Sequence, residues 1–470
     1  MKKKIIGIII SVLLIINIVF FIFEFNTLVF INKIIPFIGN LLLLILVTFQ
    51  IYLLYKIINN IKIKKIIYII MLFLNIIIFI LNISANIFDK FMSNLTDNEE
   101  IYTSTIIVRT DSNITSTNDL VNVNIGQSSD KLDYENYKLG HDYLEKHNKL
   151  QNNFYDYNDY KLAISDLLNG NIDALIISGD YLNLYDEYFE NLDSKVRPII
   201  DNLEYSVKID SNKTKDQSEP FTMLVIGADG DGGATYNADV LILMTVNPNT
   251  KKVVMVDVVR DTYALNLGNN KMDKITHSGW YGTQNVADTV GNLFDIKIDY
   301  YIRMNFNSVI DFIDLMGGID IDVPYKINVK NGKTSYYVDK GYRHLNGTET
   351  LALARTRKMP GSSLYTRGRM QMNIIEQTIK QMDRNFIINN FFTTFNLISD
   401  NVVTNISKQD LYYYIQKYID IKDELVFSEN SLNGSDSQYY HEGMKQYLYT
   451  YKVDENSLNE MKTLLKDNLK

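Results

Sequence analysis

Phe221-Thr-Met-Leu-Val-Ile-Gly-Ala-Asp229 opens the stretch on which the fold turns. It runs on through a loop with Gly230, Gly232 and Gly233, then Asn237-Ala-Asp239, aliphatics from Val240 to Val246, a turn at Asn247-Pro-Asn-Thr250, a third apolar run from Lys252 to Val259, and Arg260-Asp261-Thr-Tyr263. Apolar, β-branched runs bounded by turn residues read as strands. The first ends at Gly227 and leaves Asp229 just past its carboxyl end; Asp239 opens the second; the third delivers Arg260 and Asp261. Ligands of open α/β sheets sit at the carboxyl ends of strands, and glycines let backbone approach them closely. Asp229, Asp239 and Asp261 can therefore converge on one divalent ion, and magnesium takes one or two carboxylates beside phosphate oxygens and water. An isolated aspartate more commonly caps a turn.

Arginines follow. Asp299 to Phe306 and Val309 to Val323 read as strand, helix and strand around Met316-Gly-Gly318. Leu345 to Arg357 ends in Arg355-Thr-Arg357, whose guanidinium groups share a face only if the backbone is extended. Arg367 and Arg369 are expected in a loop from Gly361 to Arg369, with an amphipathic helix from about Met370 that carries Gln371 on its first turn. Four arginines beside a helix N-terminus suit a pyrophosphate; a solvated basic face is the alternative. His277, in Lys274-Ile-Thr-His277, reads as a hydrogen-bonded structural residue, and the apolar run from Phe386 to Ile398 as core or the lining of a lipid tunnel.

The 470 residues, 46% hydrophobic, suffice for two or more domains. A net charge of -8 argues against nucleic acid as a partner. Cysteine is absent, which removes disulfides and thiol chemistry. Three apolar runs of spanning length, 5–23, 34–55 and 66–88, place three transmembrane helices in residues 1–89. Lys2, Lys3 and Lys4 fall on the same side as Lys56, Lys62, Lys64 and Lys65, and the positive-inside rule makes that side cytoplasmic. Everything after Phe88 is then extracellular.

Residues 100–211 are more polar. Ser104 to Arg109, Asn122 to Gly126 and Asp173 to Ile177 read as strands, and Leu162 to Leu168 as a helix stopped by Gly170. Helix, Asn-Gly and Asp-Ala-Leu-Ile resemble a unit of periplasmic solute-binding folds; a small α/β accessory domain that spaces or docks the next one is the plainer reading. Residues 212–220 read as a linker.

Together these motifs resemble the LytR-CpsA-Psr family of cell-wall glycopolymer ligases. The resemblance rests on Leu224 to Asp229, Ala238-Asp239, Arg260 to Tyr263, Asp314 to Ile319 with Val323-Pro324, Leu345-Asn-Gly347, Leu353 to Arg357, and Arg367 to Gln371, in the family's order and spacing. Three spans and an accessory domain are similar to the CpsA-like branch. The fold implied is α/β: a three-helix membrane region, a small α/β accessory domain, an α/β/α domain with a central mixed sheet at 221–425, and an extension at 426–470 packed on it. The activity implied is transfer of a capsule- or teichoic-like polymer from a polyprenyl pyrophosphate-linked glycan to peptidoglycan at the outer face of the membrane. Asp229 and Asp239 would hold magnesium, with manganese as the alternative ion. Asp261 is the candidate for metal or general-base work beside Arg260 and Asp239, and Arg260, Arg355, Arg357, Arg367 and Gln371 would grip the phosphates. Membrane lipid and the polymer-synthesis machinery are the further partners implied. A lipid pyrophosphate hydrolase and a non-catalytic regulator that binds lipid-linked glycan are the rival readings. Asn237 stands where the family often has arginine, Asp257 and Val259 where it has serine and proline, and Thr366 where an aspartate usually precedes the third arginine.

Overall fold

Alternating apolar residues build the described part of the chain around two sheets. The computed structural model describes residues 99–147, 151–185, 187–200, 202–211, 216–228, 233–331, 334–356, 364–382, 402–441 and 445–470, with 48, 52, 55, 56 and 73. The three expected spans lie outside the described residues except for Thr48, Tyr52, Tyr55 and Phe73, each helical. No helix among the described residues is long and apolar enough to cross a membrane. One unit comprises Met1–Asn94 and Lys408–Asp420, where the helix Lys408–Ile421 runs; the other comprises Leu95–Ser407 and Ile421–Lys470 and holds everything that follows.

The first sheet contains β1 (Glu99–Arg109), β2 (Asn124–Ser128), β3 (Asn153–Tyr157), β4 (Ala174–Ser178), β5 (Val196–Pro198) and β6 (Leu203–Lys208), ordered β3-β2-β4-β1-β5 with β6 also on β1. β4 is buried along its whole length, as a continuous apolar run should be at the centre of a covered sheet. One face packs Ile107, Leu175 and Ile177 on helix α2 (Tyr160–Asn169), through Ala163, Ile164 and Leu167. The other packs Ile106, Val108 and Ile176 on helix α1 (Leu139–Lys146), through Leu144. Asp159 caps α2, accepting from the Lys161 amide, and Gly170 ends it at φ 79°, a left-handed position that glycine adopts without strain.

The second sheet is mixed. β7 (Phe221–Ala228), β8 (Ala238–Asn247) and β9 (Lys252–Asp257) form an antiparallel meander; β12 (Tyr300–Asn305) lies parallel to β7, and β18 (Val426–Ser431) parallel to β9. β17 (Val402–Thr404) closes the edge beyond β12. Between β9 and β12 come the hairpin β10 (Tyr263–Asn266) and β11 (Lys271–Lys274) and helix α3 (Thr283–Phe294). Beyond β12 come helix α4 (Phe306–Leu315), β13 (Ile319–Val323), the β14 (Ile327–Asn331) and β15 (Thr334–Val338) hairpin, β16 (Gly341–Leu345), and helices α5 (Gly347–Arg355) and α6 (Leu364–Gln381). The hairpin β19 (Gly434–His441) and β20 (Gln446–Val453) and helix α7 (Glu455–Asn468) end the chain. Leu224, Leu241, Leu243, Val254 and Val256 pack on Val286, Val290 and Phe294 of α3 and on Met461 and Leu465 of α7. Their alternates Ile242, Met244, Val253 and Met255 pack on Met372 of α6. The sheet is thus covered on both faces, and strand β18 belongs to it although it lies past residue 425.

Arg367 and Arg369 do not sit in a loop. They lie inside α6, which starts at Leu364 and places Gln371 well into its length. Gly368 signals a break in sequence, but here it is a packing device: a side chain at that position would overlap the Asp257 carboxylate at the end of β9.

The two sheets are joined directly. The Ala234 amide donates to the Ile101 carbonyl at 2.8 Å, and the Glu100 carboxylate accepts from the Thr283 amide at 3.0 Å, supplying an anion to the start of α3. Arg303 lies 3.6 Å from Glu100 and donates to the Gly233 carbonyl at 2.8 Å. The Thr235 hydroxyl donates to the buried Glu135 carboxyl group, and Trp280 packs against the core of the first sheet.

Candidate functional site

A β-bulge aims the first candidate carboxylate. Gly227 pairs with Val240 and Ala228 with Ala238, so Asp239 is the extra residue between them. A bulge re-aims the side chain it carries. Gly227 permits this approach, because a Cβ there would come within 2.9 Å of the Val240 Cβ. The Asp239 Oδ1 accepts from Arg260 Nη1.

Arg260 and Asp261 follow β9 after Val258 and Val259, and backbone bonds fix their connection. The Val258 amide donates to the Leu241 carbonyl, the Thr276 amide to that of Arg260 at 3.0 Å, and the Tyr451 amide to that of Asp261 at 2.7 Å. Arg260 is only 8% exposed. Its Nη2 lies 3.5 Å from Glu187 Oε2 and its Nε 3.8 Å from Asp261 Oδ1. Lys274 Nζ is 3.0 Å from Glu187 Oε1 and 3.4 Å from Asp261 Oδ1. Two cations therefore hold three carboxylates, one of which, Glu187, comes from the region of the first sheet. Burial alone would raise the Glu187 carboxyl group, but the neighbouring His277 imidazole and the charge of Lys274 hold it well below the usual carboxylate range. Glu187, Arg260, Asp261 and Lys274 line an open cavity of about 790 Å³, walled opposite by Tyr447 and Tyr449 of β20.

His277 supports this cluster from behind and is 1% exposed. Its Nδ1 is 2.9 Å from Asp273 and its Nε2 2.8 Å from the Tyr188 hydroxyl, and its ring stacks on Trp280 at 4.1 Å. Trp280 Nε1 donates to Asn237 Oδ1 at 3.0 Å. This is a structural role, with one ring nitrogen hydrogen-bonded to Tyr188 and the other beside the Asp273 carboxylate.

The remaining phosphate candidates gather around α5 and α6. Arg355 ends α5, is exposed, and lies over the Phe306 ring at 4.7 Å. Gln371 is buried and donates to the Ala354 carbonyl at 3.1 Å, which ties the end of α5 to α6. Arg367 is buried beside Asp257. Burial pushes the Asp257 carboxyl up to about 7 against the pull of the Arg367 charge. The carboxylate missing at Thr366 is thus matched by one from the sheet. The end of β9 serves both groups: Asp257 faces Arg367, and Arg260 with Asp261 follows three residues later. Asp229 and Arg357 lie outside the described residues.

The donors near Arg260 are carboxylate oxygens, the hard ligands magnesium prefers. Asp239 and Asp261 do not form a three-ligand cage. Among the described residues, the group close enough for that is His141, Asp142 and Glu145 on α1. One or two carboxylates are what magnesium uses when phosphates complete its shell. Sequence reasoning missed Glu187, which nothing in the local pattern marks, and gave Lys274 no role, although its place beside a buried Ile-Thr-His segment was a usable signal.

The LytR_cpsA_psr family pattern matches residues 188–467. The chain is similar to the polyisoprenyl-teichoic acid–peptidoglycan teichoic acid transferase TagU of Bacillus licheniformis, with 35% identity over 277 residues, 59% of this chain and 87% of that protein. TagU of Bacillus subtilis is 31% identical over 277 residues, with the same shares covered. The crystal structure of B. subtilis TagV aligns with a TM-score of 0.46 at 28% identity, covering 54% of this chain and 98% of that one.

Proposed function

This chain belongs to the LytR-CpsA-Psr family, and we propose that it is a phosphotransferase that moves a polyprenyl pyrophosphate-linked glycopolymer, capsule- or teichoic-like, onto peptidoglycan. The observation that carries this reading is the buried Arg260, locked by Asp239 and opening with Asp261 and Lys274 into one cavity. The names of the TagU relatives support the same donor and acceptor classes.

The acceptor hydroxyl oxygen attacks the phosphorus that bears the glycan. The bond from that phosphorus to the bridging oxygen breaks, and polyprenyl monophosphate leaves with the electron pair. The hydroxyl proton passes to a carboxylate, and Asp261 is the candidate because it lines the cavity while Asp239 is engaged with Arg260. Arg260 and Lys274 stabilise charge on the non-bridging oxygens as it develops. Arg355 and Arg367, with Arg357, hold the rest of the pyrophosphate, and Gln371 positions the end of α5. Asp239 with Asp229 would hold magnesium, which supplies further neutralisation of the phosphates when bound.

The apolar runs at 5–23, 34–55 and 66–88 and their flanking lysines support anchoring in the cell membrane, amino terminus inside and both sheets outside. That arrangement, with the sheet of residues 99–208 as accessory domain, also supports the CpsA-like branch. The full-length chain, given lipid-pyrophosphate glycan, peptidoglycan and magnesium, should release polyprenyl monophosphate and leave glycan on the wall, and chelation of magnesium should stop both. Release of lipid monophosphate with water as sole acceptor would make the protein a hydrolase and refute the transfer.

A further inference from the structure

The first sheet has a site of its own. β2 runs parallel to β3 on one side and to β4 on the other. The chain leaves β2 toward α1 on one face and leaves β3 toward α2 on the opposite face. Connections that part in this way open a crevice at the carboxyl ends of the strands, which is where open α/β sheets bind ligands. A cavity of about 390 Å³ lies there, and Ser128, Tyr157 and Ser178, the last residues of β2, β3 and β4, line it. That volume is within the range of about 300–1,000 Å³ usual for small-molecule sites.

The far wall comes from the segment between β9 and β12. The turn between β10 and β11 and the pair Trp280-Tyr281 cover the crevice. Gly268 in that turn rests on the Tyr281 ring, where a Cβ would come within 2.7 Å of the Tyr281 Cβ. Asn269 Nδ2 donates to the Tyr281 hydroxyl at 3.0 Å, and Lys271 Nζ donates to the Asn158 carbonyl at 3.3 Å across the opening.

The lining selects a chemical class. Among the described residues no arginine lines it, and its lysine faces Asp130 and Asp133, so it is a poor anion site. Serine, asparagine and aspartate groups alternate with flat tyrosine and tryptophan rings, which present apolar faces and polar edges. A ligand with an apolar C–H face and a rim of hydroxyls matches both. We propose that this crevice binds a neutral saccharide unit. The Trp280 wall backs directly on His277, and His277 on Tyr188 beside Glu187, so an occupied crevice adjoins the anion site. The two sources of such a sugar, the wall acceptor and the donor polymer, rest on the transfer reading; the crevice does not.

Trp280 is the one tryptophan of the chain and reports on the crevice. The full-length protein is titrated with the N-acetylglucosamine–N-acetylmuramic acid disaccharide of peptidoglycan, its lactyl carboxyl amidated so that the probe is neutral, and separately with a phosphate-free neutral oligosaccharide cut from the cell's own wall polymer, following Trp280 emission. A saturable change with the first makes the crevice an acceptor site, and with the second a donor site. Tyr281→Ala and the surface change Asp130→Ala should each weaken the response about tenfold or more, the second with an unchanged melting temperature. If neither sugar gives a saturable change, or both variants titrate like wild type, the crevice is not a saccharide site. Transfer is measured on the same preparation: transfer without binding overturns the crevice, and binding without transfer overturns the phosphotransferase.

Discussion

Glu135 should make the protein lose stability as pH rises through neutrality. Its carboxyl group is 2% exposed at the junction of the two sheets, where it accepts from the Thr103 amide at 3.0 Å and from the Thr235 hydroxyl. Burial pushes it up to about 8 from an ordinary 4.5, against the pull of these bonds. The folded chain therefore keeps a proton that the unfolded chain has lost. Stability from this group is fully present below the unfolded value, falls between about 4.5 and about 8, and is flat above. At ~1.4 kcal/mol per pH unit the whole span is roughly 5 kcal/mol, about two thirds of it lost by neutral pH. That is a large share of a typical folding free energy of about 5–15 kcal/mol. Glu135→Gln keeps the shape and the bond from the Thr103 amide, and its Nε2 donates to the Thr235 hydroxyl oxygen, without an ionisable group. Denaturant unfolding followed by Trp280 fluorescence, from about pH 5 to about pH 8, should show the variant close to wild type at the acid end and several kcal/mol more stable at the alkaline end, with equal m-values. A difference that stays constant across this range would refute the assignment.

Gly368→Ala should lower the melting temperature by a few degrees, since its methyl group would overlap the buried Asp257 carboxylate and overpacking of this kind costs about 1–3 kcal/mol; an unchanged melting curve would show that α6 is free to shift. Glu187→Gln removes the carboxylate shared by Arg260 and Lys274. Inorganic pyrophosphate should then bind several-fold more tightly by calorimetry, and equal or weaker binding would mean that Glu187 does not stand where the anion goes.

The central meander was legible because β7, β8 and β9 alternate apolar residues between the α3 and α6 faces and end at turn residues. The ends of these strands marked Asp239, Arg260 and Asp261 for the same reason: charge where an apolar run stops is visible in one dimension. What was hidden depends on distance in sequence or on a single backbone irregularity. The bulge that aims Asp239 changes pairing by one residue and leaves no trace in composition. Gly368 looks like a helix breaker unless the Asp257 carboxylate packed against it is known. Glu187 lies far from Arg260 in sequence and reaches it only because the two sheets dock. The i and i+2 spacing of Arg355 and Arg357 suggested extended backbone, and the chain does leave the helix there, with Thr356 extended at ψ 117°.

The charges around Arg260 bear on the proposal that a divalent ion takes part in the reaction. Among the described residues, Arg260 and Lys274 face Asp239, Asp261 and Glu187, so the cluster carries an excess of one negative charge before any substrate arrives. A pyrophosphate diester brings more of the same sign. Two like charges about 4 Å apart near a protein surface repel by roughly 4 kcal/mol, more than the ~1.5–3 kcal/mol expected from a charged hydrogen bond. The arginine and lysine alone therefore do not make this an anion site while all three carboxylates are ionised. Either Glu187 withdraws, which frees both cations, or a dication enters with the phosphates. Glu187 is the carboxylate that can withdraw, because it is the most exposed of the three side chains, at 42% against 13% and 14%, and it is carried by the segment next to the sugar crevice rather than by the central sheet. A ligand that moves Trp280 acts on His277 and Tyr188, the residues packed against Glu187. The position of the first sheet thus gives it leverage over the affinity of the second for phosphate.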